Sequence, residues 1–372
     1  MSDLLVNAPA PAQDEAARKA PVRVFIELIR RESVFIGLLL VAFLVTGLTY
    51  QTPHIAMWVG FGIAAYSAVA NDSIQTLGTF IASNKHRPWW LLWLFMGGIF
   101  LATAAYSWVN YGGDVSYGRL ASKGFETAPT EFQYLQVAAP LFLLILTRLR
   151  MPVSTTFLLL SCFAASGKSI WAITAKSLTG YGIAFGLAIL LWVTLGRFMQ
   201  RKFVGKAHPA WNVGQWIISG ALWSVWLQQD AANVAVYLPR SLSPWQFAAF
   251  AGVIFAGLGL LFWQGGERIQ KVVDEKSNVV DVRAATVIDL LYAVVLYVFK
   301  VQSDIPMSTT WVFVGLLAGR EIGMSFAKAH DRPLLASFKL MGKDLRNVGI
   351  GFVISLILAA AINPTIRAAL FE

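Results

Sequence analysis

Pro152-Val153-Ser154-Thr155-Thr156 and Pro306-Met307-Ser308-Thr309-Thr310 are one pattern, P-x-S-T-T, written twice. A window of average composition matches it with odds of about 1 in 100,000. Two copies, each flanked by apolar runs, point to duplication. Proline fits the first turn of a helix, where its missing N–H costs nothing. Ser and Thr add hydroxyls beside the unpaired backbone N–H groups of that turn, a combination that favours anions. In a soluble protein a single copy would read as an ordinary helix start. Among membrane segments, open backbone ends need a reason.

The chain around these copies has 372 residues, 57% hydrophobic and only 13% charged, with mean hydropathy +0.61. That composition predicts an all-α polytopic membrane protein embedded in a lipid bilayer. The 14 Trp and 25 Phe suit lipid contacts and interfacial belts. A net charge of +10 would serve nucleic-acid binding, but the positive residues cluster in short loops beside apolar segments. They read as topology signals, and no nucleic-acid partner is expected. Cys162 stands alone, which excludes an internal disulfide and predicts a buried apolar side chain.

Counting positive loops gives a topology. Residues 1–33 form a cytoplasmic tail, disordered over Met1–Ala20, with Arg18, Lys19, Arg23, Arg30 and Arg31 before the first span. That span, within 34–54, begins too late for a signal peptide and is expected to stay as an anchor. Repeat one covers 55–199. Ile55–Ser83 is interrupted by Asn71-Asp72 and returns to Lys85-His86-Arg87. Trp89–Val109 crosses outward to a polar loop, Asn110–Glu131. Phe132–Leu146 and Val153–Ala165 are each short of the ~20 residues a full span needs. They read either as a re-entrant hairpin or as two thin crossings. Leu178–Phe198 returns to a cytoplasmic linker, 200–210.

Repeat two, 211–319, follows the same plan. Trp211–Gln228 rises to Gln229-Asp230, Trp245–Trp263 returns to charged Glu267–Arg283, and Ala285–Phe299 and Trp311–Ala318 form the second short pair. Residues 320–372 hold a basic cytoplasmic segment, Arg320–Arg346, and a last span, Val348–Ile362. The polar breaks align: Asp72 precedes Pro152 by 80 residues and Asp230 precedes Pro306 by 76. The first break lies on an inward segment and its twin on an outward one. The expected architecture is two inverted-topology repeats with broken helices and paired short re-entrant hairpins, a transporter plan with its site at the midplane.

At these residues the sequence resembles the inorganic phosphate transporter (PiT) family, which repeats a G-A-N-D-x-x-N-A-type motif and a P-x-S-T-T element in inverted halves. V-A-N-D-S-I-Q-T-L-G-T (Val69–Thr79) and Q-Q-D-A-A-N-V-A (Gln228–Ala235) are similar to the acidic motifs. The resemblance spans roughly Ile55 to Ala318. It implies secondary active import of inorganic phosphate across the cell membrane, coupled to sodium or protons, and is compatible with a homo-oligomer. It puts the phosphate hydroxyls on Ser154, Thr155, Thr156, Ser308, Thr309 and Thr310. It puts acidic and amide ligands on Asn71, Asp72, Asp230 and Asn233. Gln75 and Gln229 stand where the family has Asn and join the ion-binding candidates. Phe157 and Trp311 stand where a His often follows the motif. Sulfate or another tetrahedral oxyanion remains open as substrate.

The chemistry is self-consistent. Two helix N-termini and six hydroxyls can donate to an oxyanion. Asp72 and Asp230 oppose an anion unless a cation, sodium at the two carboxylates or a proton, lies between. Arg148 reads either as a loop charge or as an anion contact at a hairpin tip, with Lys300 and Asp304 as a local pair opposite. Arg240 reads as an external interface residue. Ser166-Gly167-Lys168-Ser169 lacks the leading Gly of a phosphate loop, where Cys162 stands. The four His residues are scattered without metal-ligand spacing, and no nucleophile–base set is recoverable. No enzyme activity and no resident cofactor are expected.

Overall fold

A computed structural model describes residues 30, 32–122, 124–149, 151, 153–163, 167–264, 281–298, 308–328 and 334–371. Among them the chain is helical throughout, without strands. The expected all-α class holds. Five helical stretches are long and apolar enough to cross a membrane: Pro53–Asp72, Trp89–Asn110, Ser177–Met199, Pro244–Trp263 and Leu334–Ile362. The protein is an all-α polytopic membrane protein.

In chain order the principal helices are α1 (Ser33–Thr49), α2 (Pro53–Ser83), α3 (Trp89–Asn110), α4 (Arg119–Ser122), α5 (Tyr134–Arg148) and α6 (Gly167–Lys202). They continue with α7 (Ala210–Ala235), α8 (Pro244–Trp263), α9 (Val282–Leu296), α10 (Thr309–Phe326), α11 (Leu334–Ile362) and α12 (Pro364–Phe371). Between α5 and α6, Thr156–Leu160 winds as a π-helical turn and Ser161–Phe163 as a 3₁₀ turn.

Local sequence explains the starts. Pro53 occupies the first turn of α2 after extended Thr52. Ser243 and Gln246 form a reciprocal capping box at α8. Asp281 accepts the Arg283 N–H at 2.8 Å to cap α9. α1 is apolar on all sides, and Leu38 and Leu48 remain 66% and 74% exposed, so it faces lipid at the periphery.

α2 and α7 cross antiparallel, and this crossing positions the site. At one end the Asn84 amide at the foot of α2 donates to Gln215 Oε1 near the start of α7, at 2.9 Å. At the other end the Tyr237 ring lies on Gly60, where a Cβ would come within 2.5 Å of it. α6 and α10 pack even closer. Gly315, Gly319 and Gly323 lie four residues apart on α10 and meet the Tyr181, Phe185 and Ile189 carbonyls of α6. Small residues at this spacing let backbones approach where lipid gives no hydrophobic drive. Arg240, expected at an external interface, is half-buried and staples loops by donating to the carbonyls of Phe125, Thr127 and Leu238.

One expectation is corrected. The polar pairs Asn71-Asp72 and Gln229-Asp230 are not breaks: α2 and α7 run through them as single helices of 31 and 26 residues. Asn71 and Asp72 bond outward to Val153 and Thr155, and Asp230 accepts from the Asn233 side chain, which leaves the helical ladder intact. Within the basic segment 320–346, Arg320 and Glu321 are buried on α10 and paired at 3.1 Å. α11 already begins at Leu334. Leu178–Phe198, the expected span, is the apolar middle of a 36-residue helix and coincides with the membrane-crossing stretch Ser177–Met199. Arg150, Pro152, Lys300, Asp304, Pro306 and Met307 lie outside the described residues, as does most of 1–33.

Candidate functional site

Both P-x-S-T-T copies begin the same way. Ser154 Oγ accepts the Phe157 N–H at 3.3 Å, and Ser308 Oγ accepts the Trp311 N–H at 3.4 Å. Each serine caps the turn it opens. This uses the serine hydroxyls locally and turns the threonines inward. Ser154, Thr155, Thr156, Ser308, Thr309 and Thr310 are all buried.

Thr155 Oγ1 donates to Asp72 Oδ2 at 2.5 Å, joining the first S-T-T to α2. The Asn233 amide on α7 lies 3.1 Å from Thr155 Oγ1, 3.2 Å from Thr156 Oγ1 and 2.8 Å from Asp230 Oδ1. Two threonines of one half therefore sit between an Asp of α2 and an Asp–Asn pair of α7. The Val153 carbonyl is the junction with the second copy. It accepts from the Asn71 amide at 2.8 Å and from Thr310 Oγ1 at 3.2 Å. Asn71 also donates to Asp72 Oδ1 at 2.6 Å. Tyr292 of α9 donates its hydroxyl to the Thr309 carbonyl at 3.0 Å. The Ser308 N–H reaches Ser177 Oγ on α6 at 3.2 Å.

Asn71, Asp72, Thr155, Thr156, Asp230, Asn233 and Thr310 are thus brought into one buried, hydrogen-bonded cluster. Hydroxyls are its most numerous polar groups, and each can donate or accept. Such a cluster can exchange internal partners for those of a small polar guest.

Other expected residues fall differently. Gln229 is fully buried on α7, but neither its amide nitrogen nor its oxygen has a hydrogen-bond partner among the described residues. One residue along a helix is about 100° around it, which turns Gln229 away from Asp230. The side chain of Gln75 is outside the described residues. The Arg148 guanidinium lies on Glu32, with Nε at 2.8 Å and Nη2 at 2.7 Å, and over the Phe35 ring.

Sequence reasoning passed over Thr147, whose hydroxyl meets Asn71 Oδ1 at 3.3 Å. It also passed over Asp289, a carboxylate buried on α9. The signal for Asp289 was available: it is a lone acid inside an apolar run.

No protein-family model matches the chain, and no curated protein sequence matches it. Among solved structures it is similar to one described as the sodium-dependent phosphate transporter. Identity is 16% and the TM-score 0.47, over 86% of this chain and 99% of the other.

Proposed function

We propose that the protein is a secondary active transporter that imports inorganic phosphate, coupled to sodium or protons, by alternating access between two inverted halves. The observation that carries the reading is Thr155, whose hydroxyl is shared between Asp72 on α2 and Asn233 on α7. Elements far apart in sequence supply anion donors and carboxylates to one buried cluster. Intramembrane carboxylates are costly and mark ion pathways.

In this reading the Thr155–Asp72 contact acts as the coupling device. Thr155 donates to Asp72, so its proton is not offered to an anion. A cation or proton at Asp72 takes over the carboxylate oxygen and frees the Thr155 hydroxyl to turn toward an oxyanion. Asn233 links Asp230 to the same hydroxyls, which extends the exchange to the second carboxylate. Cation and anion then bind together, because each removes the other's desolvation penalty. Thr310 and the α10 N-terminus add donors from the second copy. Phosphate and sulfate share the tetrahedral oxygens this donor set recognises.

Uptake into proteoliposomes tests the reading. Radiolabelled phosphate and sulfate are offered with and without inward sodium and proton gradients. Phosphate accumulation that needs one gradient is expected. Accumulation of sulfate that phosphate does not inhibit would move the substrate to sulfate. No gradient-dependent uptake of either anion overturns the proposal.

A further inference from the structure

Asp289 is 1% exposed on α9, and its two carboxylate oxygens are held by hydroxyls from two other helices. Thr79 of α2 donates to Oδ1 at 2.5 Å, and Ser219 of α7 donates to Oδ2 at 2.5 Å. No Lys, Arg or His among the described residues pairs with it. Among the charged and titratable groups on the elements packed around it are Asp72 on α2, Asp230 on α7, Arg283 and Tyr292 on α9, Arg320 and Glu321 on α10, and Arg197 on α6. Each of these has other partners: Arg283 lies on Asp281, Tyr292 on Thr309, Arg320 on Glu321 and Arg197 on the Ala327 carbonyl.

Position gives the carboxylate a meaning. Thr79 is seven residues from Asp72 along α2, and Ser219 is eleven from Asp230 along α7. At 1.5 Å per residue, Asp289 lies about 10–16 Å from the hydroxyl cluster, toward the end that carries Lys85, Arg87 and Arg201. On α2, Asp72, Thr76, Thr79 and Ser83 follow at spacings of four, three and four, one polar face of the helix. One turn nearer the basic end, Gln215 of α7 is hydrogen-bonded to Ser83 and to Asn84. A column of hydroxyls and amides therefore leads from that end to Asp289 and on toward Asp72.

We propose that Asp289, between Thr79 and Ser219, is a proton-carrying site of the transport cycle, distinct from the hydroxyl cluster at Asp72 and Asp230. An isolated carboxylate this deep must be neutralised at some stage. A sodium ion needs several free oxygens. Here both hydroxyls are already spent on the carboxylate at 2.5 Å, which leaves no cage for a metal ion. A proton fits without rearrangement of the helices. It comes from water at the basic end and converts the carboxylate to the acid. The acid then donates to Thr79 or Ser219, each of which can accept while turning its own hydrogen elsewhere. The same proton returns to water when the acid is deprotonated. The three residues tie α2, α7 and α9 together in both states, but with different donor directions.

The inference rests on the transporter reading, and the test separates the two. Purified protein and Asp289→Asn are compared by infrared difference spectroscopy across a pH titration, which needs no transport. A carboxylic-acid band that titrates in the parent protein, is absent from Asp289→Asn and shifts in Ser219→Ala or Thr79→Val is expected. In proteoliposomes, anion uptake should change about tenfold per pH unit on one limb of the parent profile and flatten in Asp289→Asn. No titrating band removed by Asp289→Asn overturns the proton site whatever the transport result. A band with an unchanged uptake profile in Asp289→Asn overturns its role in the cycle. Absence of uptake by the parent protein strikes the transporter reading, while the band still decides whether Asp289 takes a proton.

Discussion

Thr155 Oγ1 stands 2.5 Å from Asp72 Oδ2, and the same oxygen accepts from the Asn233 amide at 3.1 Å. One hydroxyl thus joins α2 to α7 and spends its only hydrogen on a carboxylate. Under the proposed exchange, Thr155→Val removes an anion donor and leaves Asp72 without its partner. Anion affinity should fall by about 2 kcal/mol, roughly 30-fold in Kd. Asp72→Asn should act on the other ligand, abolishing the dependence of uptake on the coupling gradient. Isothermal titration of the anion at several cation concentrations, with uptake by both variants, checks the pair. Thr155→Val with parental affinity and Asp72→Asn with parental cation dependence would refute the switch.

Asn233 is the bridge between halves, since one amide serves Thr155, Thr156 and Asp230. Asn233→Ala leaves three buried polar groups short of a partner. The expected loss is about 2–3 kcal/mol of stability, read as a lower unfolding temperature in detergent. Because the amide also holds Asp230 beside the threonines, bound anion should restore less stability to this variant than to the parent. Equal ligand-induced stabilisation in both would show that Asn233 is structural only.

The sequence carried the membrane class and the paired S-T-T elements because both depend on residue identity alone. Apolar runs long enough for lipid are visible by counting, and a pattern repeated half a chain apart is visible by inspection. The polar pairs misled because Asn and Asp in an apolar run look the same whether the backbone opens or the side chain reaches out. Asn71 reaches the Val153 carbonyl 82 residues away, a partner that no local pattern announces. Arg148 was legible only as two alternatives, for a related reason. Its place beside Thr147 is near the cluster, but Glu32, 116 residues earlier, takes its guanidinium. Asp289 was legible as an oddity, and only the meeting of α2, α7 and α9 gave it partners. The π-helical turn after Thr155 has no sequence signal in its apolar residues, Phe157 to Leu160.

The α6–α10 contact depends on missing side chains. A Cβ at Gly315 would stand 2.6 Å from the Tyr181 carbonyl oxygen, which is backbone and cannot swing away. Gly315→Ala should therefore push the helices apart, costing about 1–3 kcal/mol. Gly186 on α6 has nothing within 4 Å of its Cβ position. Gly186→Ala should be neutral or stabilising by about 0.5–1 kcal/mol through helix propensity. Thermal unfolding of the two variants side by side tests the contrast, and equal shifts would place the α6–α10 seam elsewhere.

The cap of α9 gives a pH signature outside the membrane segments. Asp281 accepts the Arg283 N–H at 2.8 Å and pairs with its guanidinium at 2.5 Å. The guanidinium hydrogen bond holds the Asp281 carboxyl below the ordinary carboxylate value, against an opposing push from partial burial. Arg283 in turn donates to the Phe203 and Gly205 carbonyls, so the pair also fastens the linker after α6 to α9. A carboxyl whose value is lowered on folding stabilises the fold above its unfolded value. That contribution fades as pH falls through the folded value. Asp281→Asn should therefore unfold at a lower temperature than the parent at about pH 7, and the gap should close below about pH 4. The α9 amides should exchange faster in the variant at the higher pH only. A gap that persists unchanged into acid would mean that side-chain shape, rather than charge, makes the cap.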